Sequence, residues 1–396
     1  MSSTPPADLR AAWTLDPAIT FLNHGSFGAC PRAVLAAQAE LRAELEREPV
    51  DFFIRRLGPR LDAARAEVAA FVGADPRDLA FVRNATAGVA AVLGSLRLDP
   101  GDELLATDHG YNACKNALDR VAARAGARVV VARLPFPLRD PAEVVDAVLR
   151  ALTPRTRLAL LDHVTSPTGL VLPIAALVRA LAERGVDVLV DGAHAPGMQD
   201  LDLDALGAAY YTGNFHKWVC APKGAAMLWV RRDRQAGLHP AVISHGYNST
   251  RPRPRLHEEF DWIGTDDPTP WLCVPIALRE LAALVPGGWP ELRRRCRDLA
   301  LAARDRLALA LHVAPPAPDA MIGALAALPL PPGDPTPLAA LDIEPLQQRL
   351  FDRHAIEVPV VPWPRPPHRL LRISAFLHNT LADYDRLAHA LRAELP

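Results

Sequence analysis

The stretch DVLVDGAHAPGMQDLDLDALGAAYYTGNFHKWVCAPKG, residues 187–224, decides how this chain is read. Its first apolar, β-branched run, Val188–Val190, has the composition of a strand buried on both faces. Such a strand delivers Asp191 to its carboxyl end, where open α/β sheets hold their ligands. A short polar and helical passage leads to a second apolar run, residues 208–212, and then to His216 and Lys217. An acid at one strand end and a lysine just after the next strand suit a pyridoxal 5'-phosphate (PLP) site. There the lysine forms a Schiff base and the carboxylate pairs with the pyridine nitrogen. Taken alone, the same spacing also describes a surface lysine and a helix-capping aspartate.

Composition moves the reading toward chemistry. Of 44 basic residues only Lys115, Lys217 and Lys223 are lysine. Arginine serves wherever a positive charge is enough, and lysine remains where an amine has to lose its proton, which arginine does not do. The net charge is −1 with no long run of either sign, so neither nucleic acid nor an anionic membrane surface is an expected partner. The start has no basic region followed by an apolar core, and no stretch reaches the roughly 18 apolar residues of a membrane span. A cytoplasmic location is expected. The five cysteines are scattered and lack CxxC spacing, which argues against a disulfide framework and structural zinc. A 396-residue chain that is half apolar buries a sizeable core and exceeds one average domain.

Outward from the quoted stretch, strands and helices alternate. Strands are expected at 81–82, 103–106, 129–134, 158–161, 188–190, 208–212 and 225–230, with helices at 113–127, 143–152 and 174–184 between them. That order implies an α/β fold: a mostly parallel sheet with helices on both faces. Polar or aromatic residues recur at the carboxyl ends of these strands: Asp108 to Tyr111, His163 to Thr168, Asp191 and His194. Asn84-Ala85-Thr86 opens an apolar helix whose first-turn amides suit a phosphate, or which is simply capped there. No GxGxxG opens the first unit and no GxxxxGK[ST] is present, so dinucleotide and P-loop sites have little support. His163, His194 and His216 match no metal-ligand spacing, and no metal is expected.

The flanks complete the plan. Residues 1–20 read as an N-terminal arm with one short helix. Residues 21–28, FLNHGSFG, form a polar turn where two glycines let backbone approach a ligand. Helices follow at 31–47 and 60–72. The proline- and arginine-rich 251–257 reads as a boundary loop. The large domain then spans 21–270, and 271–396 holds a linking helix, broken at 286–288, and a smaller α+β domain. Residues 314–336 carry too many prolines to be more than linker, edge strand or turn. Arg372 stands in the apolar strand 370–374, either paired or waiting for an anion.

At this point FLNHGSFG, FFIRR, RNATAG, TDHGY, HVTSPTGLVLP, VDGAHAPGM, GNFHKW and RISAFLHNT, in that order, resemble class V of the aminotransferase superfamily. Within it they are similar to the isopenicillin N epimerase-like branch. The resemblance implies fold type I, with a seven-stranded, mostly parallel sheet in the large domain. It makes Lys217 the Schiff-base lysine and acid/base, with Asp191 on the ring nitrogen and His194, and also His163, near the ring hydroxyl. Tyr111 would stack on the ring, with His109 as rival. Ala85, Thr86, Asn214 and His216 would hold the phosphate. Thr265 would reach the phosphate of a partner subunit's cofactor, which implies a homodimer with shared sites. Arg372 would fork the carboxylate of an amino-acid substrate, and Asn23 and His24 would line the substrate pocket.

The implied function is PLP chemistry at an amino acid's α-carbon: epimerisation in specialised metabolism first, with Cβ–S lysis or transamination as alternatives. A chain that keeps the fold without the site is the non-enzyme alternative. Two departures stand out. Residues 357–369 lack the loop cysteine with which related desulfurases take up persulfide. The branch's usual tyrosine after the arginine is His378, a change bearing on substrate size and polarity.

Overall fold

The computed structural model describes residues 9–339 and 342–395. After β1 (Thr20–Phe21), seven strands build the main sheet: β2 (Leu79–Val82), β3 (Glu103–Thr107), β4 (Arg128–Ala132), β5 (Thr156–Asp162), β6 (Asp187–Asp191), β7 (Tyr210–Asn214) and β8 (Ala226–Val230). Their order is β2-β8-β7-β6-β5-β3-β4, and β8 alone runs antiparallel to its neighbours. The sheet is thus seven-stranded and mostly parallel, with the reversal at β8.

Period-two alternation explains why these runs are strands. Val188 and Val190 of β6 enter one core while Leu189 enters the other. β5 repeats this, with Ala159 and Leu161 on one side and Leu158 and Leu160 on the other. Successive side chains of a strand face opposite ways, so each strand feeds two helix layers. Helices Leu57–Val72, Ala142–Arg150, Ile174–Ala182 and Val274–Ala283 cover the first face. Ala85–Ser95 and Asn112–Ala125 cover the second. Each fully buried leucine or valine contributes about 1.5–3 kcal/mol.

The Pro/Arg-rich segment departs in part from expectation. Residues 251–254 are loop as expected, but Arg255–Phe260 is a helix, and it packs Leu256 and Phe260 into the second face. Buried Arg65 grips Asp261 just beyond it through two bonds of 2.6 and 2.7 Å. Both partners are far away in sequence, so local composition carries no trace of them.

The helix Gly288–Leu311 leads to a second sheet. Here β9 (Leu325–Leu330) precedes β10 (Ile356–Glu357), β11 (Val360–Pro362) and β12 (Arg369–Ser374). The antiparallel order is β11-β12-β9, so the proline-rich stretch supplies an edge strand. β10 pairs in parallel with β1, and Leu22 lies in the core of this second unit. Residues 23–28 then cross to the main sheet, and His24–Phe27 form a helical turn there.

Gly28 makes that crossing possible. It sits at φ 70°, ψ 159°, and a Cβ there would lie 2.1 Å from the His216 carbonyl oxygen and 2.8 Å from that of Lys217. This backbone conformation is essentially restricted to glycine. Gly28→Ala is expected to destabilise the protein by about 2–4 kcal/mol, read as a lower urea midpoint at unchanged m-value. An unchanged midpoint would show that the crossing relaxes freely.

Candidate active site

A cavity of about 470 Å³ opens at the carboxyl ends of β5, β6 and β7. That is the size of a small-molecule site. Asp191, His194, Asn214, His216, Lys217, Ala85, Thr86 and Tyr111 all line it. Asp162, Ser26, Ser166, Arg83 and Lys223 join them.

Lys217 opens on the cavity from below the protein surface. Its Nζ is 3.1 Å from His194 Nε2. Trp218 Nε1 donates to His194 Nδ1 at 3.4 Å, so the remaining proton of a neutral His194 sits on Nε2 and points at Lys217. That arrangement asks for a free amine lone pair. Burial, then the Arg372 charge, lowers the Lys217 amine to about 8, against the opposing pull of Asp191 and Asp162. Burial likewise keeps His194 well below its ordinary value. Labelling Lys217 with an amine-directed reagent is therefore expected to speed up with pH and level off above about 8. An ordinary lysine keeps gaining to about 10.4. Mass spectrometry of the labelled peptide reads the profile, and a plateau near 10 would remove the perturbation.

Asp191 accepts from the Ala193 amide at 2.9 Å and from the Cys114 thiol at 3.2 Å. Its register partner on β5 is Asp162, a second buried carboxyl on the same cavity. Burial and the Asp191 charge push Asp162 well above the carboxylate range, while burial raises Asp191 too. Two carboxyls this close do not both ionise readily. Asp162 escaped the sequence reading, although it ends an apolar strand just as Asp191 does.

At the far wall, Asn84 caps the helix Ala85–Ser95 through the Ala87 amide at 2.8 Å, and Asn214 accepts from the Ala85 amide at 2.8 Å. The Thr86 amide has no acceptor in its own helical turn. A Cβ on Gly88 would lie 2.3 Å from Thr212 Oγ1, so glycine lets this helix seat directly on β7.

Other expected residues stand elsewhere. Tyr111 lines the cavity, whereas His109 is fully buried behind it, 2.8 Å from Thr168 Oγ1 and edge-on to Trp363. His163 does not reach the cavity wall; its Nδ1 meets the Tyr211 hydroxyl at 2.8 Å. Asn23 and His24 also lie behind the wall. Asn23 donates to Glu357 at 2.9 Å, and His24 is fully buried against the Lys217 carbonyl at 3.1 Å. His378 is buried against His24 and faces no substrate space. Thr265 is exposed, off the cavity wall and next to Asp266, which pairs with Arg83. Arg372 is buried behind Ser166 and Ser26, donating to the Ser166 carbonyl at 2.7 Å and the Ser26 hydroxyl at 2.8 Å. Among the described residues no cluster of three or more ligand-type side chains suits a metal ion, and no single helix is long and apolar enough to cross a membrane.

These groups fit PLP: a low-pKa amine, a buried acid for a ring nitrogen, and a helix N-terminus with a free amide for a phosphate. Comparison with known proteins agrees. The aminotransferase class-V family model matches residues 30–257. The isopenicillin N epimerase of Amycolatopsis lactamdurans is 40% identical over 99% of both chains. A probable chloroplastic L-cysteine desulfhydrase of Arabidopsis thaliana is 31% identical over 95% of this chain and 83% of its own. The solved cystine C-S lyase C-DES, in complex with its product cysteine persulfide, superposes with a TM-score of 0.78 at 22% identity, covering 96% of this chain and 99% of that one. Fold and site define a PLP-dependent enzyme of fold type I. The chain belongs to the class-V aminotransferase family.

Proposed function

We propose that this enzyme epimerises the α-carbon of an amino acid or amino-acid-derived substrate in specialised metabolism. One observation carries the reading: two proton-bearing side chains, Lys217 and Tyr111, line one cavity, and the Arg372 guanidinium is buried directly behind its Ser26 and Ser166 wall. The full-length similarity to isopenicillin N epimerase supports it. PLP, when bound, supplies the sink for the electron pair left at the α-carbon. Arg372 holds the substrate carboxylate and so fixes which bond stands over the cavity. Lys217 takes the α-proton on one side, and Tyr111 returns a proton on the other. Asp191 keeps a proton on the ring nitrogen, Asn214 with the Ala85–Thr86 turn holds the phosphate, and His216 stands beside them.

A second reading, β-elimination from an S-substituted cysteine, is supported by the desulfhydrase and C-S lyase similarities. It needs Lys217 as base and no second acid. Residues 357–369 contain no cysteine to accept persulfide, so a desulfurase route lacks its acceptor. The protein acts as a homodimer in this proposal, with exposed Thr265 directed to the partner's site.

Proton NMR in heavy water with a panel of amino acids and S-substituted cysteines separates the readings. Loss of the α-proton signal with the skeleton intact, and mixed chirality on a chiral column, is the expected result. Pyruvate with a free thiol would replace epimerisation by lysis.

A further inference from the structure

His24 Nδ1 lies 3.2 Å from His378 Nε2, and His24 Nε2 lies 3.1 Å from the Lys217 carbonyl oxygen. A carbonyl only accepts, so His24 Nε2 carries a proton. Both rings are buried, and burial holds them in the neutral form. A neutral His24 protonated at Nε2 accepts at Nδ1, which makes His378 Nε2–H the donor. His378 Nδ1 is correspondingly buried without a partner, as the bare end of such a chain should be. The rings cannot swing. His24 stacks on Phe376 at 4.1 Å and 8°, and Trp13 meets His378 edge-on at 5.3 Å.

The far end of this chain is the turn that presents the lysine. The Lys217 carbonyl accepts from the Cys220 amide at 3.1 Å and from His24, while Gly28 backs it. Cys220 closes the turn at φ 55°, in the left-handed region. With two donors on one carbonyl, the plane of the peptide is set, and with it the direction in which the side chain leaves the main chain.

We propose that His378 is a positioning residue, whose Nε2–H orients His24 so that His24 fixes the Lys217 main chain and thereby the amine in the cavity. This rests on Lys217 being the cofactor lysine, and it holds for epimerisation and lysis alike. It assigns His378 no contact with substrate.

The test uses the PLP-loaded enzyme with His378→Phe, His378→Gln and His378→Tyr. Phenylalanine keeps an aromatic ring and removes the donor; glutamine and tyrosine keep a donor. Borohydride reduction and peptide mapping of the unmutated enzyme come first, since a label away from Lys217 would fail the parent reading alone. The variants are then compared by the visible circular dichroism of bound PLP and by its first-order release. The phenylalanine variant is expected to show an altered dichroic band and about tenfold faster release, with glutamine and tyrosine within about twofold of the parent. Phenylalanine indistinguishable from glutamine, or all three shifted alike, would overturn the proposal in favour of plain packing. Should the phenylalanine variant fail to fold, His378→Met against His378→Gln poses the same contrast.

Discussion

Lys217→Ala is expected to abolish turnover, by about 10⁴-fold or more, while the protein still folds and takes up PLP through the remaining contacts. The physical ground is that nothing near it can stand in. Lys223 is the only other lysine on the cavity, and its ammonium is tied to the Gly28 carbonyl at 2.9 Å. Lys115 is exposed beside Asp119. His194, the side chain in contact with the Lys217 amine, lacks the reach and the basicity, since burial keeps its ring neutral. An alanine variant within tenfold of the parent would mean the base lies elsewhere. Single-turnover loss of substrate α-deuterium reads this step without interference from product release.

Arg372→Ala is expected to lower kcat/KM by about 10²- to 10³-fold, chiefly through KM, as two charge-assisted hydrogen bonds to a carboxylate are lost. Burial draws its guanidinium down to about 10, which still leaves it cationic at neutral pH. Its Nε is buried without an acceptor while the two outer nitrogens hold serines. Arg372→Lys should recover little, because an ammonium cannot reproduce the planar fork. The substitution also reaches Lys217. Arg372 is the strongest charge depressing that amine, so its removal moves the labelling plateau upward from about 8. Steady-state kinetics and the labelling profile of one variant therefore test two links together. Unchanged KM with an unchanged plateau would dismiss the arginine from the site.

Much of the large unit was legible because its signals are local. Val188–Val190 announces a strand through composition alone, and lysine scarcity narrows the amine to three positions, of which Lys217 follows just after a strand. Asp162 obeys the rule that marks Asp191, since it too ends an apolar strand, but the polar run from His163 to Thr168 directly after it masks that signal. The remaining discrepancies share a different cause. Helix Arg255–Phe260 is anchored by a sheet face and, just past its end at Asp261, by distant Arg65. Asn23, His24 and His378 carry polar side chains suited to a pocket, yet they satisfy one another and Glu357 behind it. A one-dimensional pattern shows that a side chain has hydrogen-bonding capacity but not which layer of the fold uses it. Tyr111 and His109 lie two positions apart along a loop, and the fold puts Tyr111 on the cavity wall and His109 behind it against Trp363.

The pairing of β1 with β10 has a bearing on biosynthesis. Residues 20–28 emerge early from the ribosome, but β1 docks only on Ile356–Glu357, Ser374 binds the Gly25 amide at 2.9 Å, and His24 waits for His378. The main sheet from β2 to β8 is complete long before those partners exist. A nascent chain halted at residue 350 thus holds its central sheet and its lysine, but the lysine turn has neither of the supports that depend on the C-terminal unit. Cofactor capture is therefore expected to follow completion of the C-terminal unit, so that chains truncated before residue 356 bind PLP less tightly than the full chain.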